Sequence, residues 1–371
     1  MPNNQSLKIT LILLLCTFSS CAQSPGEESQ LDTQIGQMLM AGFRGLEIDR
    51  NSPVIKDITQ YHLGGVVLFD YDVPTKNPVR NIQSPGQVKA LIDSLQKYAE
   101  IPLLIGIDQE GGKVIRLKPK FGFPPTVSPQ YLGQLNNVDS TRMYAKQTAG
   151  ILNKLGINMN LAPGVDVNVN PENPIIGSLE RSYSSDPEIV TRHAKTYIEA
   201  FEEHGVITSL KHFPGHGSSK HDSHEGVTDV TLTWQEEELI PFRRLIASGN
   251  ADVIMTAHIY NAKLDPSYPA TLSKPIITGL LRDSLNFDGV IISDDLQMKA
   301  IRSYYGLEKT IEMSIKAGVD ILVFANNSIF DEEIVAKAHQ IIKGLVQSGE
   351  IPRERISQSY KRIMELKRHL Q

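Results

Sequence analysis

The sequence predicts a (β/α)8 barrel, a single catalytic domain of the α/β class. Eight short apolar runs recur along the chain, segments of helical periodicity separate them, and 371 residues exceed the roughly 250 that such a barrel needs. The runs are apolar throughout rather than alternating, as parallel strands covered on both faces require. A doubly wound open sheet gives a similar alternation, and the count of eight favours the barrel.

The elements follow in order. Residues 1–20 hold one basic residue, Lys8, then an apolar stretch from Ile9 to Phe18 and small residues before Cys21. That stretch is too short to span a bilayer comfortably and suits a signal peptide. "FSSC" resembles a bacterial lipobox, in which Cys21 is lipidated and becomes the first residue; a simple secretory signal cut nearby is the alternative. With Cys16 discarded and Cys21 acylated, both cysteines of the chain are used. The domain then carries neither thiol nor disulfide, which fits an exported protein stabilised by its core. Residues 21–33 read as a polar tether and 34–371 as the catalytic domain.

The apolar runs are 36–43 (GQMLMAGF), 64–70 (GGVVLFD), 101–108 (IPLLIGID) and 156–163 (GINMNLAP), then 206–213 (VITSLKHF), 251–259 (ADVIMTAHI), 289–295 (GVIISDD) and 319–326 (VDILVFAN). Between them lie helical stretches such as "SPGQVKALIDSLQKYAE" and "DPEIVTRHAKTYIEAFEEHG", the second stopping at Gly205. Composition is that of a soluble globular protein, 40% hydrophobic and 21% charged. A net charge of -5 and the lack of long single-sign runs argue against nucleic acid as a partner.

A barrel places function at the C-terminal ends of its strands. Polar residues stand there: Asp108 before "QEGGKVIR", "PGVDVNVNPENP" after the fourth run, Lys211-His212, His258, and Asp294-Asp295. Buried carboxylates are costly unless paired or used. Asp294 reads as nucleophile, base or metal ligand, and Asp295 as a helix cap or support, since "LQMKAIRSYY" follows as a helix. Asp108, Arg116, Arg181 and Lys211 suit charge-assisted hydrogen bonds to a hydroxyl-rich ligand.

The stretch 211–226 (KHFPGHGSSKHDSHEG) holds His212, His216, His221 and His224, 4 of the 10 histidines. Asp222 and His224 are two apart, so in an extended loop they share a side. The carboxylate would fix the tautomer and raise the basicity of the imidazole, a proton-transfer dyad. Alternatively the four histidines and Asp222 hold zinc. Their intervals match no common helical ligand pattern, and Pro214 and Gly215 break a helix there.

Five segments together resemble the β-N-acetylhexosaminidases of glycoside hydrolase family 3: "IDQEGGKVIRL", "NLAPGVDVNVNPENPIIGSLERSYSSDP", "SLKHFPGHGSSKHDSH", "VIMTAHI" and "GVIISDDLQMKAI". The resemblance implies a (β/α)8 barrel and retaining hydrolysis of terminal β-N-acetylglucosamine through a covalent glycosyl-enzyme. By position it implies Asp294 as nucleophile and Asp222 with His224 as acid/base. Asp108, Arg116, Arg181, Lys211 and His212 would hold the sugar, and His258 would line the site. A zinc hydrolase or a phosphorylase using the same glycosidase chemistry remain the alternatives.

The two-domain β-glucosidases of the family take their acid/base from a second domain, for which this chain leaves no room after the eighth strand. The donor is therefore expected from the barrel. Lys113 replaces the usual arginine of "DQEGGR", and "IGSLERSY" is two residues longer than the usual spacing before Arg181. The expected protein needs no metal or cofactor and binds no nucleic acid. It is a lipid-anchored monomer, periplasmic or at the cell surface, acting on peptidoglycan fragments or chitooligosaccharides.

Overall fold

The computed structural model describes residues 25–222, 226, 228–368 and 370. Cys21, the expected signal peptide and His224 lie outside the described residues.

Among the described residues there are ten strands. In chain order they are β1 (Leu39–Gly42), β2 (Gly65–Leu68), β3 (Leu104–Ile107), β4 (Met159–Asn160), β5 (Ile207–Phe213), β6 (Thr228–Asp229), β7 (Val253–Thr256), β8 (Ile259–Tyr260), β9 (Val290–Ser293) and β10 (Leu322–Phe324). All except β6 and β8 form one sheet in the order β10-β1-β2-β3-β4-β5-β7-β9. Every pairing in it is parallel. A parallel bridge between Ile292 and Ile321 brings β9 against the chain entering β10 and closes the barrel. Each of the eight expected runs contains one of these strands. Their residues are buried end to end, because one face meets the barrel interior and the other the surrounding helices. β6 and β8 form a separate parallel pair, with Asp229 opposite Tyr260.

Local chemistry sets the helix ends. Ser84 accepts a hydrogen bond from the Gln87 N–H to cap Pro85–Tyr98, and Asp186 accepts from Glu188 to cap Pro187–Glu202. The second of these stops three residues before Gly205, which takes up a left-handed conformation at φ 65°.

The expected tether is different. The chain is helical from Pro25 to Gln37. Leu31 and Ile35, four apart on one face, are both fully buried, and the helix packs against the helices Ile334–Gln347 and Arg353–Arg368. Asp32 accepts an ion pair from Lys343 at 2.9 Å. Burial of that face outweighs the polar composition that read as a linker. The folded unit thus begins before residue 34. Among the described residues no helix is long and apolar enough to cross a membrane.

Candidate active site

The C-terminal ends of the strands surround a cleft of about 370 Å³. Val67 and Phe69 reach it from β2 and its exit, Asp108 from β3, Leu161 from β4, Met255 from β7, Asp294 from β9 and Val323 from β10. Lys211 and His212 both line it from β5. In a regular strand neighbouring side chains point to opposite faces. Here the register of β5 against β7 shifts between Leu210 and Phe213, and that irregularity turns both residues into the cleft.

An ionic network forms one wall. The Lys211 ammonium, only 2% exposed, lies 2.8 Å from Asp108 Oδ1 and 2.6 Å from Glu110 Oε1. Arg181 donates from Nε and Nη2 to the two oxygens of Glu110, at 2.8 and 2.7 Å, and from Nη1 to the Ile175 carbonyl at 2.9 Å. Arg116 Nη2 donates to Asp108 Oδ2 at 3.1 Å. Burial pushes both carboxyls up, but the cations beside them prevail. Lys211 and Arg116 hold Asp108 well below the usual carboxylate range, and Arg181 and Lys211 hold Glu110 down at about 2. Burial likewise opposes the charge on Lys211, and Asp108 with Glu110 raises its pKa above the ordinary value. Both acids therefore stay ionised at neutral pH. They can accept hydrogen bonds from hydroxyl groups but cannot donate protons.

A second carboxylate organises the histidines. Asp166 Oδ2 accepts from His212 Nδ1 at 2.7 Å, and its Oδ1 accepts the main-chain N–H groups of His212 at 3.2 Å and His216 at 2.8 Å. Arg181 Nη2 lies 3.2 Å from His212 Nε2. Arginine can only donate, so that nitrogen carries the lone pair and the proton sits on Nδ1. Burial raises the Asp166 carboxyl, and His212 and His216 outweigh it, holding it down at about 2. His216 is buried, its Nδ1 is 2.7 Å from Ser219 Oγ, and burial with His212 nearby pushes it down to about 4. It is a neutral structural residue at physiological pH. His221 is exposed, and its carbonyl accepts from the Thr228 hydroxyl at 3.4 Å.

The two neighbouring acids separate. Asp294 lines the cleft, its Oδ1 accepting from the Asp295 N–H at 2.7 Å. Asp295 Oδ1 accepts from Gln297 N at 3.0 Å and Ala325 N at 2.9 Å. The next helix starts only at Lys299 with Met298 as its N-cap. Asp295 therefore does not cap that helix; it ties the exit of β9 to the exit of β10. His258, expected in the site, does not line the cleft. Its Nδ1 lies 2.8 Å from Thr271 Oγ1, and its Nε2 donates to the Asp295 carbonyl at 2.9 Å. Through its contact with the Asp295 carbonyl the ring braces the 294–295 corner.

The lengthened stretch before Arg181 folds back on itself: the Arg181 N–H donates to the Ile176 carbonyl at 3.0 Å. Lys113 donates to the Ser178 carbonyl at 3.0 Å and pairs with Glu180 at 2.8 Å. Asp222 lines the cleft. Among the described residues no group of three or more His, Cys, Asp or Glu is placed to hold a metal ion. Sequence reasoning passed over Glu110 and Asp166. Both stand in motifs it singled out, "IDQEGG" and "APGVDVNVN", directly after apolar runs.

The glycosyl hydrolase family 3 N-terminal domain matches residues 30–366. The chain belongs to glycoside hydrolase family 3. Within the family it is 33% identical to beta-hexosaminidase A of Pseudoalteromonas piscicida over 95% of its own length and 63% of the relative. It is 32% identical to the beta-hexosaminidase LpqI of Mycobacterium tuberculosis, covering 94% of this chain and 86% of that one. A family 3 beta-N-acetylglucosaminidase from Paenibacillus sp. superposes with a TM-score of 0.83 at 38% identity, covering 91% of this chain and 62% of that chain. The chain thus spans less than two thirds of the first and third of these relatives.

The network makes a prediction. Glu110→Ala strands Arg181 and Lys211 without one carboxylate, and should lower the unfolding free energy by roughly 3–5 kcal/mol in urea titration. Glu110 and Asp166 have folded pKa values of about 2, against ordinary values of 4.5 and 3.8. Their contribution is complete above the ordinary carboxylate range and is lost as pH falls towards 2. Wild-type stability should drop across that window, and Glu110→Ala should drop less steeply. Parallel curves for the two proteins would contradict the reading.

Proposed function

We propose that this chain is an exo-acting, retaining β-N-acetylglucosaminidase, which removes terminal β-N-acetylglucosamine from peptidoglycan fragments or chitooligosaccharides. One observation carries the mechanism: how the acids of the cleft are engaged. Its carboxylates among the described residues are Asp108, Glu110, Asp222, Asp294 and Asp295. The first two are held ionised by cations, and Asp295 accepts two main-chain N–H groups. Asp294 lines the cleft directly after β9, where the family resemblance puts the nucleophile, and Asp222 lines it in the segment that the resemblance makes the source of the acid. A buried, neutral His216 and a His212 whose Nε2 accepts from Arg181 are poor proton donors.

In this reading Asp108, Arg116, Arg181, Lys211 and His212 bind the sugar hydroxyls and acetamido group. Asp294 attacks the anomeric carbon while the His224 imidazolium, supported by Asp222, gives its proton to the departing oxygen. The neutral imidazole then takes a proton from water, water attacks the same carbon, and the bond to Asp294 breaks. A histidine donor avoids placing a second anionic carboxylate close to the nucleophile.

The wild-type protein should release chromophore from an aryl β-N-acetylglucosaminide with or without a chelator. Asp294→Ala should lose kcat by on the order of 10³-fold or more while folding normally. Near-normal turnover by that variant would remove Asp294 from the mechanism, and chelator-sensitive turnover would favour a zinc hydrolase.

The location is part of the same proposal: residues 1–20 direct export and Cys21 carries the lipid anchor, supported by the "FSSC" pattern. In a bacterial host fed labelled palmitate the full chain should take up label and enter the detergent phase. Cys21→Ala should do neither; label on that variant would refute the anchor.

A further inference from the structure

The turn that leads from β5 into the segment bearing Asp222 is gripped by two buried carboxylates. Asp166 accepts the main-chain N–H of His216 at 2.8 Å. The next two amides are taken by Glu238, whose Oε2 accepts from Gly217 at 2.9 Å and Ser218 at 3.2 Å. Glu238 lies in the 3₁₀ turn Glu236–Leu239 and is 0% exposed. The turn is shaped to it. Gly215 sits at φ 117°, and a Cβ there would come within 2.6 Å of Glu238 Cβ. A Cβ on Gly217 would come within 1.7 Å of the Val167 carbonyl oxygen. Trp234, from the same stretch as Glu238, donates to the Pro214 carbonyl at 3.1 Å.

Glu238 does not line the cleft. A fully buried carboxylate is an expensive way to fill space. Burial pushes the Glu238 carboxyl up to about 7, and what its Oε2 supplies is an acceptor shared by two successive amides, at the point where the chain departs towards Asp222. We propose that Glu238 is a positioning residue for proton transfer: it fixes the root of the acid/base segment, so that the segment delivers its proton to the departing oxygen without Glu238 touching the substrate. This rests on the reading of Asp222 and His224 as the acid/base pair.

The test compares kcat/KM for two aryl β-N-acetylglucosaminides, one with a strongly acidic nitrophenol leaving group and one with unsubstituted phenol. Only the second needs the proton donor for departure. General acid assistance is worth about 10²–10⁴-fold, so a misplaced donor should penalise the phenol substrate selectively. Glu238→Ala should lower kcat/KM for the phenyl substrate at least about tenfold more than for the activated one. Glu238→Gln, which keeps an acceptor oxygen for both amides, should hold the wild-type ratio. The ratio is independent of how much of the preparation is folded. If Glu238→Ala fails to fold, Glu238→Asp, which withdraws the oxygens by one methylene, takes its place with the same expected selective loss.

Equal losses on both substrates would reduce Glu238 to a structural role and overturn the proposal. His224→Ala, run in parallel, separates the two readings. A selective loss there without one at Glu238 defeats the positioning role alone. No selective loss at His224 defeats the acid/base assignment, and the positioning role with it.

Discussion

The buried ammonium of Lys211, set between Asp108 and Glu110, is the interaction on which the site depends. It draws the loop after β3 onto β5, and through Glu110 it fastens Arg181 from the loop beyond β4. Desolvating three cations and two carboxylates is costly, and their mutual attraction offsets that cost only while the geometry is kept. The wall is consequently stiff, polar and already charged. It suits a ligand whose many hydroxyl groups replace water with charge-assisted hydrogen bonds at little cost in reorganisation.

The same network constrains the chemistry. Carboxylates neutralised by lysine and arginine cannot carry protons near neutral pH, so in the proposed mechanism the proton has to come from outside the wall. Asp166 extends this constraint to the histidines. By binding His212 through Nδ1 it turns Nε2 towards Arg181 and the cleft as an acceptor, and by taking the His216 amide it anchors the turn that precedes Asp222. Charged groups thus do separate jobs within a short distance: one set forms the wall, one set holds the chain, and Asp294 faces the cleft.

Much of this was legible in the sequence, for a physical reason. A barrel strand is buried on both faces, so it must be apolar throughout, and polar residues at its end stand out. All eight strands and Asp108, Lys211 and Asp294 were visible in that way. Glu110 and Asp166 were not, because a carboxylate three to six residues beyond a strand looks like any loop acid. The arginine that Glu110 binds is 71 residues away in the chain. His258 has the right residue type at a strand end, yet its orientation is set by Thr271 and the Asp295 carbonyl, contacts no spacing rule encodes. The helix Pro25–Gln37 was hidden by its polar composition, since only its few buried residues show which face meets the closing helices.

The central claim is that the sugar is transferred to Asp294 before water receives it. Its most direct test is mass spectrometry of the protein after reaction with a fluorinated N-acetylglucosaminyl fluoride that forms the intermediate quickly and releases it slowly. The account predicts a mass increase of one sugar residue, carried on the peptide containing Asp294 and lost when that residue is replaced. A sugar bound to a different residue, or steady turnover with no covalent adduct, would contradict it.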